Sequence, residues 1–265
     1  MYGPFKIASA YLSHWLKASS RRGHGIHSPW VYSLVREVCC DRTNYEAYTE
    51  VETLRQHLLN DCRIVPVNDY GAGSAHTGRS SRSVRSIART AVKSRRYGQL
   101  LFRLARYANA RSILELGTSL GITTSYFARS AADTRVVTLE GAPAIAAIAR
   151  EHLDRLPGRQ VTLLEGCFED TLDRALGLLG AVDLAFVDGD HRRDATLANV
   201  RSIMAYLRED SVLVLDDIHW SRGMEEAWQS IKGWPEVRCT VDLFFIGIVS
   251  FRSSFHEKQH YRVRF

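Results

Sequence analysis

Acidic residues mark the ends of five apolar runs in the part of the chain that begins at residue 112. They are Glu115, Glu140, Glu165, Asp188 and Asp216. The acids of a solvated loop would be scattered, whereas an acid at every one of these run ends indicates a shared binding edge. A ligand there would be cationic or rich in hydroxyl groups, or it would be a metal ion, because carboxylates accept hydrogen bonds and bind hard cations.

Glycines accompany the first of these acids in the spacing E-x-G-x-x-x-G, which runs from Glu115 to Gly121. This spacing differs from the G-x-G-x-x-G of dinucleotide-binding folds. Gly117 and Gly121 allow the backbone to approach a ligand where a helix begins. Glu140 lies where such folds bind ribose hydroxyls. A tight turn between a strand and a helix is the alternative interpretation of the two glycines.

The elements that position these residues follow from a regular alternation of strand and helix patterns. Apolar runs predict strands at Ile113–Leu116, Val136–Leu139, Val161–Leu164, Leu184–Val187 and Val212–Leu215. Helical patterns lie between and after them at 122–131, 143–155, 170–179, 193–208 and 222–232. This alternation predicts an α/β fold with a Rossmann-like, doubly wound and mostly parallel sheet of seven strands. Two adjacent runs, Pro235–Asp242 and Phe244–Arg252, predict an antiparallel C-terminal hairpin in that sheet.

The first 94 residues do not share this alternation. We predict that residues 1–94 form a helical N-terminal extension or cap, and that residues 95–265 form the sheet domain. Asp69–Ser74 has the spacing D-x-G-x-G and imitates a ligand-binding glycine loop. An Arg-rich helical pattern follows it instead of a second strand, so we interpret this segment as a cap or a structural turn.

Five motifs occur in order along the sheet domain: ELGTSLG, LEGAP, LLEGCFED, FVDGDHRRDATLANV and LVLDDIHW. Together, each at a strand end, they resemble the class I S-adenosylmethionine-dependent methyltransferases. The resemblance covers about residues 95–252 and is strongest to the O-methyltransferase branch, which includes catechol, caffeoyl-CoA and macrocin-type sugar enzymes. It implies methyl transfer from S-adenosylmethionine to an oxygen of a small molecule or sugar.

The resemblance also assigns cofactor contacts. It implies that Glu115, Gly117 and Ser119 line the methionine part of the cofactor and that Glu140 holds the ribose. The segment Gly166, Cys167 and Phe168 would border the adenine. Gly121 and Asp188 complete the implied set.

The same resemblance implies a catalytic set. Asp188, Asp216 and Asp217 match positions that hold a divalent metal in many of these enzymes, and oxygen ligands suit Mg²⁺. Catechol-type relatives have Asn where this chain has Asp217, whereas macrocin-type relatives have Asp, so the metal requirement stays open. His191 matches a general base, with Asp188 beside it in the catalytic set, and imidazole exchanges protons near neutral pH.

Simpler interpretations of these residues also exist. Asp188 and Asp216 fit helix N-caps. Asp217 fits a solvated neighbour of Asp216, and His191 fits a polar loop residue. His219 and Trp220 could close over a substrate or pack in the core or at the rim.

The composition narrows the class of protein. The chain of 265 residues is 45% hydrophobic and 24% charged, as is usual for folded domains. It has no run of 18 apolar residues, so a membrane span is not expected. The five cysteines are odd in number and lack a CxxC spacing, which argues against a disulfide framework and a cysteine zinc site. These features predict a cytoplasmic protein.

Basic residues dominate the segment 63–111, which contains 11 Lys and Arg residues and only one acidic residue, Asp69. One side of a predicted helix carries a stripe of five of them: Arg82, Arg85, Arg89, Lys93 and Arg96. We interpret the stripe as a solvated face that pairs with the acidic body, with an anionic substrate, RNA or a membrane surface as alternatives. Residues 79–96 lack the aromatic side chains that stack on bases, so nucleic acid is not the expected partner.

Two classes of function therefore remain. The favoured one is a methyltransferase with a small-molecule acceptor, and a homodimer is one option for its assembly. The alternative is a non-catalytic Rossmann-like binding protein that uses segment 79–96 for nucleic acid or a protein partner. The acidic set disfavours this alternative, because a binding protein has no need of Asp188, His191 and Asp216 together. A nicotinamide oxidoreductase is disfavoured because G-x-G-x-x-G is missing.

Overall fold

The structure, a computed structural model, describes residues 1–19, 25–67, 81–156, 158 and 160–265. Helices α1 to α10 span Pro4–Lys17, Pro29–Leu34, Glu46–Asn60, Val84–Thr90, Arg95–Tyr107, Ile122–Ala128, Pro143–Leu153, Phe168–Leu179, Arg193–Met204 and Arg222–Gly233. A π-helical turn, Val35–Cys39, continues α2. Strands β1 to β10 span Ile64–Pro66, Ser81–Ser83, Ser112–Leu116, Arg135–Glu140, Gln160–Glu165, Val182–Val187, Leu207–Asp216, Cys239–Asp242, Ile246–Ser250 and Gln259–Arg262.

Two compact units contain these elements. The terminal unit combines Met1–Asp41 with Val182–Phe265, and the central unit is Arg42–Ala181. The antiparallel pair of β1 and β2 belongs to the central unit. None of the helices in the described ranges is both long enough and apolar enough to cross a bilayer.

The central unit also contains a parallel set of three strands. β3 pairs with β4 and β4 with β5, with Leu116 opposite Leu139 and Glu140 opposite Glu165. Every residue of β3 is buried, as its apolar run predicts for a strand covered on both faces. Because parallel strands end at the same edge of a sheet, the loops after β3, β4 and β5 meet there. The helices α3, α4, α5 and α6 pack around an aromatic cluster in which the ring of Tyr48 lies 5.3 Å from that of Phe102.

The terminal unit contains both parallel and antiparallel pairs. β6 pairs in parallel with β7, and β9 pairs antiparallel with both β7 and β8. The predicted antiparallel C-terminal hairpin is therefore confirmed. The sequence did not predict β10, which pairs in parallel with β8. Its four residues alternate between half-buried and exposed, so they form no apolar run.

The prediction that the basic stripe lies on one helix is wrong. Arg82 lies in β2, α4 ends at Thr90, and α5 begins at Arg95. The two helices are separate: Ala91, which follows α4, has φ −115° and ψ 0°, and Ser94, which precedes α5, has the extended angles φ −61° and ψ 155°. The other segment singled out in this region, Asp69–Ser74, lies outside the described residues.

Candidate active site

The segment Gly117–Gly121 turns the chain between β3 and α6. The amides of Gly117 and Thr118 both donate hydrogen bonds to the carbonyl oxygen of Leu139, each at 3.0 Å. The φ angles of Gly117, Ser119 and Gly121 are all positive, at 99°, 48° and 74°. A serine with positive φ is strained by about 1 kcal/mol or more, and such strain is common at ligand-binding loops.

Glycine is required at two positions near these strand ends. A Cβ atom on Gly121 would lie 3.0 Å from Nε2 of His152 and 3.2 Å from Cδ1 of Leu153. Gly166 has a φ of 140°, and a Cβ atom there would lie 2.9 Å from Cγ2 of Thr171. The backbone conformation and the neighbouring atoms thus make a side chain unfavourable at both positions, which supports the tight-turn interpretation of Gly121 alongside any contact with a ligand.

Glu140, at the end of β4, has its carboxylate held by the backbone. Its Oε2 accepts a hydrogen bond from the amide of Ser119 at 2.8 Å, and its Oε1 accepts one from the amide of Ala142 at 2.9 Å. The amide of Gly166 donates to the carbonyl oxygen of Glu140 at 3.0 Å, which ties the end of β5 to the same residue. A half-buried carboxylate fixed in this way fits the two adjacent hydroxyls of a ribose.

Glu115, in β3, is fully buried. Its Oε2 accepts hydrogen bonds from the hydroxyls of Thr124 and Thr138, the latter at 2.7 Å. The hydroxyls of Thr118 and Thr138 lie 2.6 Å apart. A buried carboxylate needs such partners, so Glu115 braces the loop after β3 from inside. Its contact with the methionine part of a cofactor stays a prediction.

The helix α8 begins where the sequence predicts an adenine contact. Cys167 is its N-cap and Phe168 its first residue, and both are half-buried. The carbonyl oxygen of Cys167 accepts a hydrogen bond from the hydroxyl of Thr171 at 2.8 Å. We call the segments Gly117–Gly121, Glu140–Ala142 and Gly166–Phe168 the cofactor loops.

Two loops of the terminal unit, after β6 and after β7, bring an imidazole and two carboxylates together. Nε2 of His191 lies 4.0 Å from Oδ1 of Asp188 and 3.9 Å from Oδ2 of Asp217. These distances exceed a direct hydrogen bond, and the three side chains are between 17% and 24% exposed. The ring of His191 lies 5.3 Å from that of Trp220. We call the loops that carry these four residues the acid–histidine loops.

Two simpler interpretations of the acids can now be tested. Asp188 and Asp216 are not helix N-caps, because Arg192 caps α9 and Ser221 caps α10. Asp217 has a positive φ of 52° and faces His191, so it is more than a solvated neighbour.

The three predicted metal ligands are not equivalent. Asp188 and Asp217 face the same imidazole, whereas Asp216 is only 1% exposed. Within the described ranges, no group of three or more His, Cys, Asp or Glu side chains is arranged to hold a metal ion. Mg²⁺ commonly uses one or two carboxylates and keeps several waters, so Asp188 and Asp217 still fit it as a donor pair.

The sequence did not predict a series of hydrogen bonds that passes through His219. Its Nε2 lies 2.9 Å from Oδ2 of Asp242, and its Nδ1 lies 3.3 Å from Oε1 of Glu225. Tyr2 donates its hydroxyl to Oε2 of Glu225 at 2.7 Å, and Nε2 of His14 lies 3.1 Å from Oδ1 of Asp242. These residues are up to 240 positions apart, so no local spacing could reveal the series. It assigns His219 to packing rather than to closing over a substrate.

The charged groups that are hydrogen-bonded around His219 stabilise each other. Burial alone would lower the pKa of His219, but hydrogen bonds and attraction from Asp242 and Glu225 outweigh burial and raise that pKa above its ordinary value. Burial would raise the pKa of Asp242, but hydrogen bonds from His14 and His219 hold it well below its ordinary value. The backbone joins the same series to an acid–histidine loop, because the amide of Tyr2 donates to the carbonyl oxygen of Trp220 at 3.0 Å.

Part of the chain matches proteins of known class. Residues 114–218 match a protein-family model described as a methyltransferase domain. A catechol O-methyltransferase from Mycobacterium tuberculosis is 35% identical over 134 residues, which are 50% of this chain and 59% of that protein. The chain spans about half the length of the curated relatives it matches.

Solved structures share the fold. An O-methyltransferase from Bacillus cereus in complex with S-adenosylhomocysteine superposes with a TM-score of 0.54 at 21% identity, over 82% of this chain and 99% of that one. An S-adenosylhomocysteine-bound methyltransferase from Podospora anserina gives 0.58 at 16% identity, over 95% and 97%. The predicted α/β, Rossmann-like fold is confirmed. The family match and the curated relative confirm the predicted resemblance to class I S-adenosylmethionine-dependent O-methyltransferases.

Proposed function

We propose that this protein is an O-methyltransferase that uses S-adenosylmethionine and a small-molecule or sugar acceptor. The observation that carries the proposal is the Glu140 carboxylate, which the amides of Ser119 and Ala142 fix at the end of β4. It lies inside the stretch 114–218 that matches a methyltransferase domain. Because a curated relative is named a catechol O-methyltransferase, a catechol is the first acceptor to try.

The cofactor loops would hold S-adenosylmethionine, whose sulfonium supplies an electrophilic methyl group. Glu140 would accept hydrogen bonds from the ribose hydroxyls. Segment Gly117–Gly121 would take the methionine part and Gly166–Phe168 the adenine. Glu115 would support these contacts by fixing Thr124 and Thr138 behind the loop. We propose that residues 95–265 form the cofactor-binding domain and that residues 1–94 act as its cap.

The acid–histidine loops would prepare the acceptor oxygen. His191 would take the acceptor's hydroxyl proton on Nε2, the atom that faces both carboxylates. Asp188 and Asp217 would then stabilise the positive imidazolium across about 4 Å. Asp188 would also border the cofactor, and Trp220, beside the His191 ring, would offer the acceptor an apolar wall.

The proposal includes a Mg²⁺ ion bound beside His191. Asp188 and Asp217 supply the carboxylate oxygens that a hard cation prefers, with water and the acceptor filling its other positions. Such an ion would lower the pKa of the acceptor hydroxyl and fix its orientation. Because Asp216 is buried, it would lie behind this pair and would not bind the ion directly.

We place the protein in the cytoplasm and expect neither nucleic acid nor a membrane span. What supports a reducing compartment is the odd number of cysteines and the lack of a CxxC spacing. Assembly as a homodimer is a further option, which sedimentation of the purified protein would decide.

Cofactor binding tests the proposal directly. With S-adenosylhomocysteine at 100 times its Kd, the free energy of unfolding of the wild type should rise by about 2.7 kcal/mol. Glu140→Ala should remove most of this gain, because it deletes the ribose acceptor. Denaturant unfolding with and without the ligand measures both, and NAD should give no comparable gain.

Glu165→Ala is the matched control. Glu165 ends the neighbouring strand opposite Glu140, but its carboxylate pairs with Arg150 at 2.8 Å on the surface. This variant should keep the full gain. A full gain in Glu140→Ala, or none in the wild type, refutes the proposed cofactor site. Transfer of a labelled methyl group to a catechol then separates an enzyme from a protein that only binds the cofactor.

A further inference from the structure

Helix α1 exposes four large apolar side chains. Phe5, Leu12 and Leu16 are 91%, 58% and 64% exposed, and Trp15 is 45% exposed. Positions 5, 12 and 16 share one helix face because they are separated by seven and four residues. The buried residue of this helix is the polar His14. The helix therefore exposes an apolar face, whereas the apolar face of a helix is usually buried.

The helix is nevertheless firmly attached through its other side. His14 lies 3.1 Å from the Asp242 carboxylate, and the ring of Tyr11 lies 5.0 Å from that of Phe244. At its end, Nε of Arg264 donates to the carbonyl oxygen of Trp15 at 2.7 Å. The exposed apolar face is thus displayed by a helix that is fixed in place.

Cationic side chains lie on the same helix as this face and beside Trp15. Lys6 and Lys17 are exposed on α1, and the guanidinium of Arg264 lies 4.2 Å from the ring centre of Trp15. The first acidic residue of the chain is Glu37. The segment before it carries five basic residues: Lys6, Lys17, Arg21, Arg22 and Arg36.

We propose that the exposed face of α1 binds the surface of an anionic lipid bilayer. Phe5, Leu12 and Leu16 would enter the boundary between headgroups and acyl chains, with Lys6 and Lys17 at the level of the phosphates. Apolar and aromatic residues on one face with lysines beside them are typical of interfacial helices. A second copy of the chain would bring the same cations to a shared interface, whereas an anionic bilayer offers the opposite charge.

Vesicle cosedimentation tests the apolar part of this surface. The wild type should sediment with vesicles of phosphatidylcholine mixed with phosphatidylserine, and much less with phosphatidylcholine alone. Leu12→Gln combined with Leu16→Gln should lower partitioning about tenfold or more, because the buried apolar area is lost. The matched control is Ile64→Gln with Leu178→Gln, two side chains that are 73% and 46% exposed elsewhere. It should sediment like the wild type, and circular dichroism should show all variants folded.

A second pair of variants tests the charge. Replacing Lys6 and Lys17 by Gln should lower partitioning about fivefold for each lysine, and added salt should have a similar effect. Arg89→Gln with Arg96→Gln, both exposed in the central unit, should change little.

Three results would overturn the proposal. The first is no sedimentation of the wild type with anionic vesicles, or equal sedimentation with neutral ones. The second is a loss of binding in the Arg89 and Arg96 variant but not in the lysine variant. The third is a dimer in analytical ultracentrifugation that the Leu12 and Leu16 variant dissociates, without vesicle binding by the wild type.

Discussion

The cofactor loops and the acid–histidine loops both follow parallel strands, but they hold their carboxylates differently. Glu140 has both of its oxygens on backbone amides, at 2.8 and 2.9 Å. Asp188 and Asp217 lie about 4 Å from His191 and are partly exposed. One carboxylate is fixed by the backbone, whereas the other two face an imidazole at a distance that water or a ligand could bridge.

If the proposed function holds, this difference separates binding from chemistry. Because backbone amides hold the Glu140 carboxylate, we expect the cofactor loops to be preorganised and to bind the proposed cofactor with little rearrangement. Catalytic contacts are often long before substrate binds and tighten in the reactive complex. Changes at His191 and Asp217 should therefore affect turnover and leave cofactor affinity intact. Changes in the cofactor loops should affect stability and affinity together.

Removal of the His191 imidazole should have the largest effect. We expect His191→Ala to lower kcat by roughly 10²–10⁴-fold, because it deletes the proposed general base. Affinity for S-adenosylhomocysteine, measured by calorimetry, should not change. His57→Ala, at an exposed position near the end of α3, serves as the control. An unchanged rate and pH profile in His191→Ala would return this residue to the polar-loop interpretation.

Removal of metal should come next. We expect EDTA to lower methyl transfer by roughly 100-fold or more and added Mg²⁺ to restore it, because the ion would stabilise the acceptor's developing charge. Asp217→Asn should imitate EDTA. Asp194→Asn, which changes an 88% exposed carboxylate beside Arg193, should be silent. Full activity in EDTA would show that no metal is needed, and His191 alone would then activate the acceptor hydroxyl.

The substitution Gly121→Ala tests whether the loop after β3 is preorganised. We expect Gly121→Ala to cost roughly 1–3 kcal/mol in the free energy of unfolding, because φ is +74° and the new Cβ would meet His152 and Leu153. Affinity for S-adenosylhomocysteine should fall with it. In Gly177→Ala, within α8, the new Cβ would have no neighbour within 4 Å. This control should gain about 0.5–1 kcal/mol. Equal stability of the two variants would contradict a strained turn.

The sequence predicted the strand ends because each is a local pattern. Glu140 follows an apolar run, and Gly117 and Gly121 have their spacing within one turn. It also placed Asp188 and His191 in one loop, although not the 4 Å separation that distinguishes them from Glu140. These features need only short-range chemistry and the rule that parallel strands end together.

What the sequence did not predict depends on distant partners or on weak local patterns. The hydrogen bonds that connect Tyr2 with Asp242 join the segment before the first helix to β8, across more than 200 residues. β10 is half-exposed and therefore lacks an apolar run. The end of α4 before Lys93 interrupts a charge pattern that continues in the sequence. In each case, tertiary contacts or one extended residue outweigh the periodicity.

The smallest expected effect concerns pH and the terminal unit. Because the pKa of folded His219 is raised, its charge stabilises the fold fully below the unfolded value of about 6.5. This stabilisation is lost as pH rises through the raised folded pKa. The pKa of Asp242 is lowered, so its negative charge stabilises the fold at neutral pH. This stabilisation is lost only in acid, as pH falls through the lowered pKa.

We therefore expect wild-type stability, measured by urea unfolding, to decline as pH increases above about 6.5. His219→Gln should cost about 1 kcal/mol at pH near 6 and should flatten this decline, since glutamine bonds Asp242 without titrating. His57→Gln, with its exposed side chain, should keep the wild-type slope. Parallel slopes in wild type and His219→Gln would show that another group controls the pH dependence. The cofactor loops should be indifferent to the change, because backbone amides and not histidines hold Glu140.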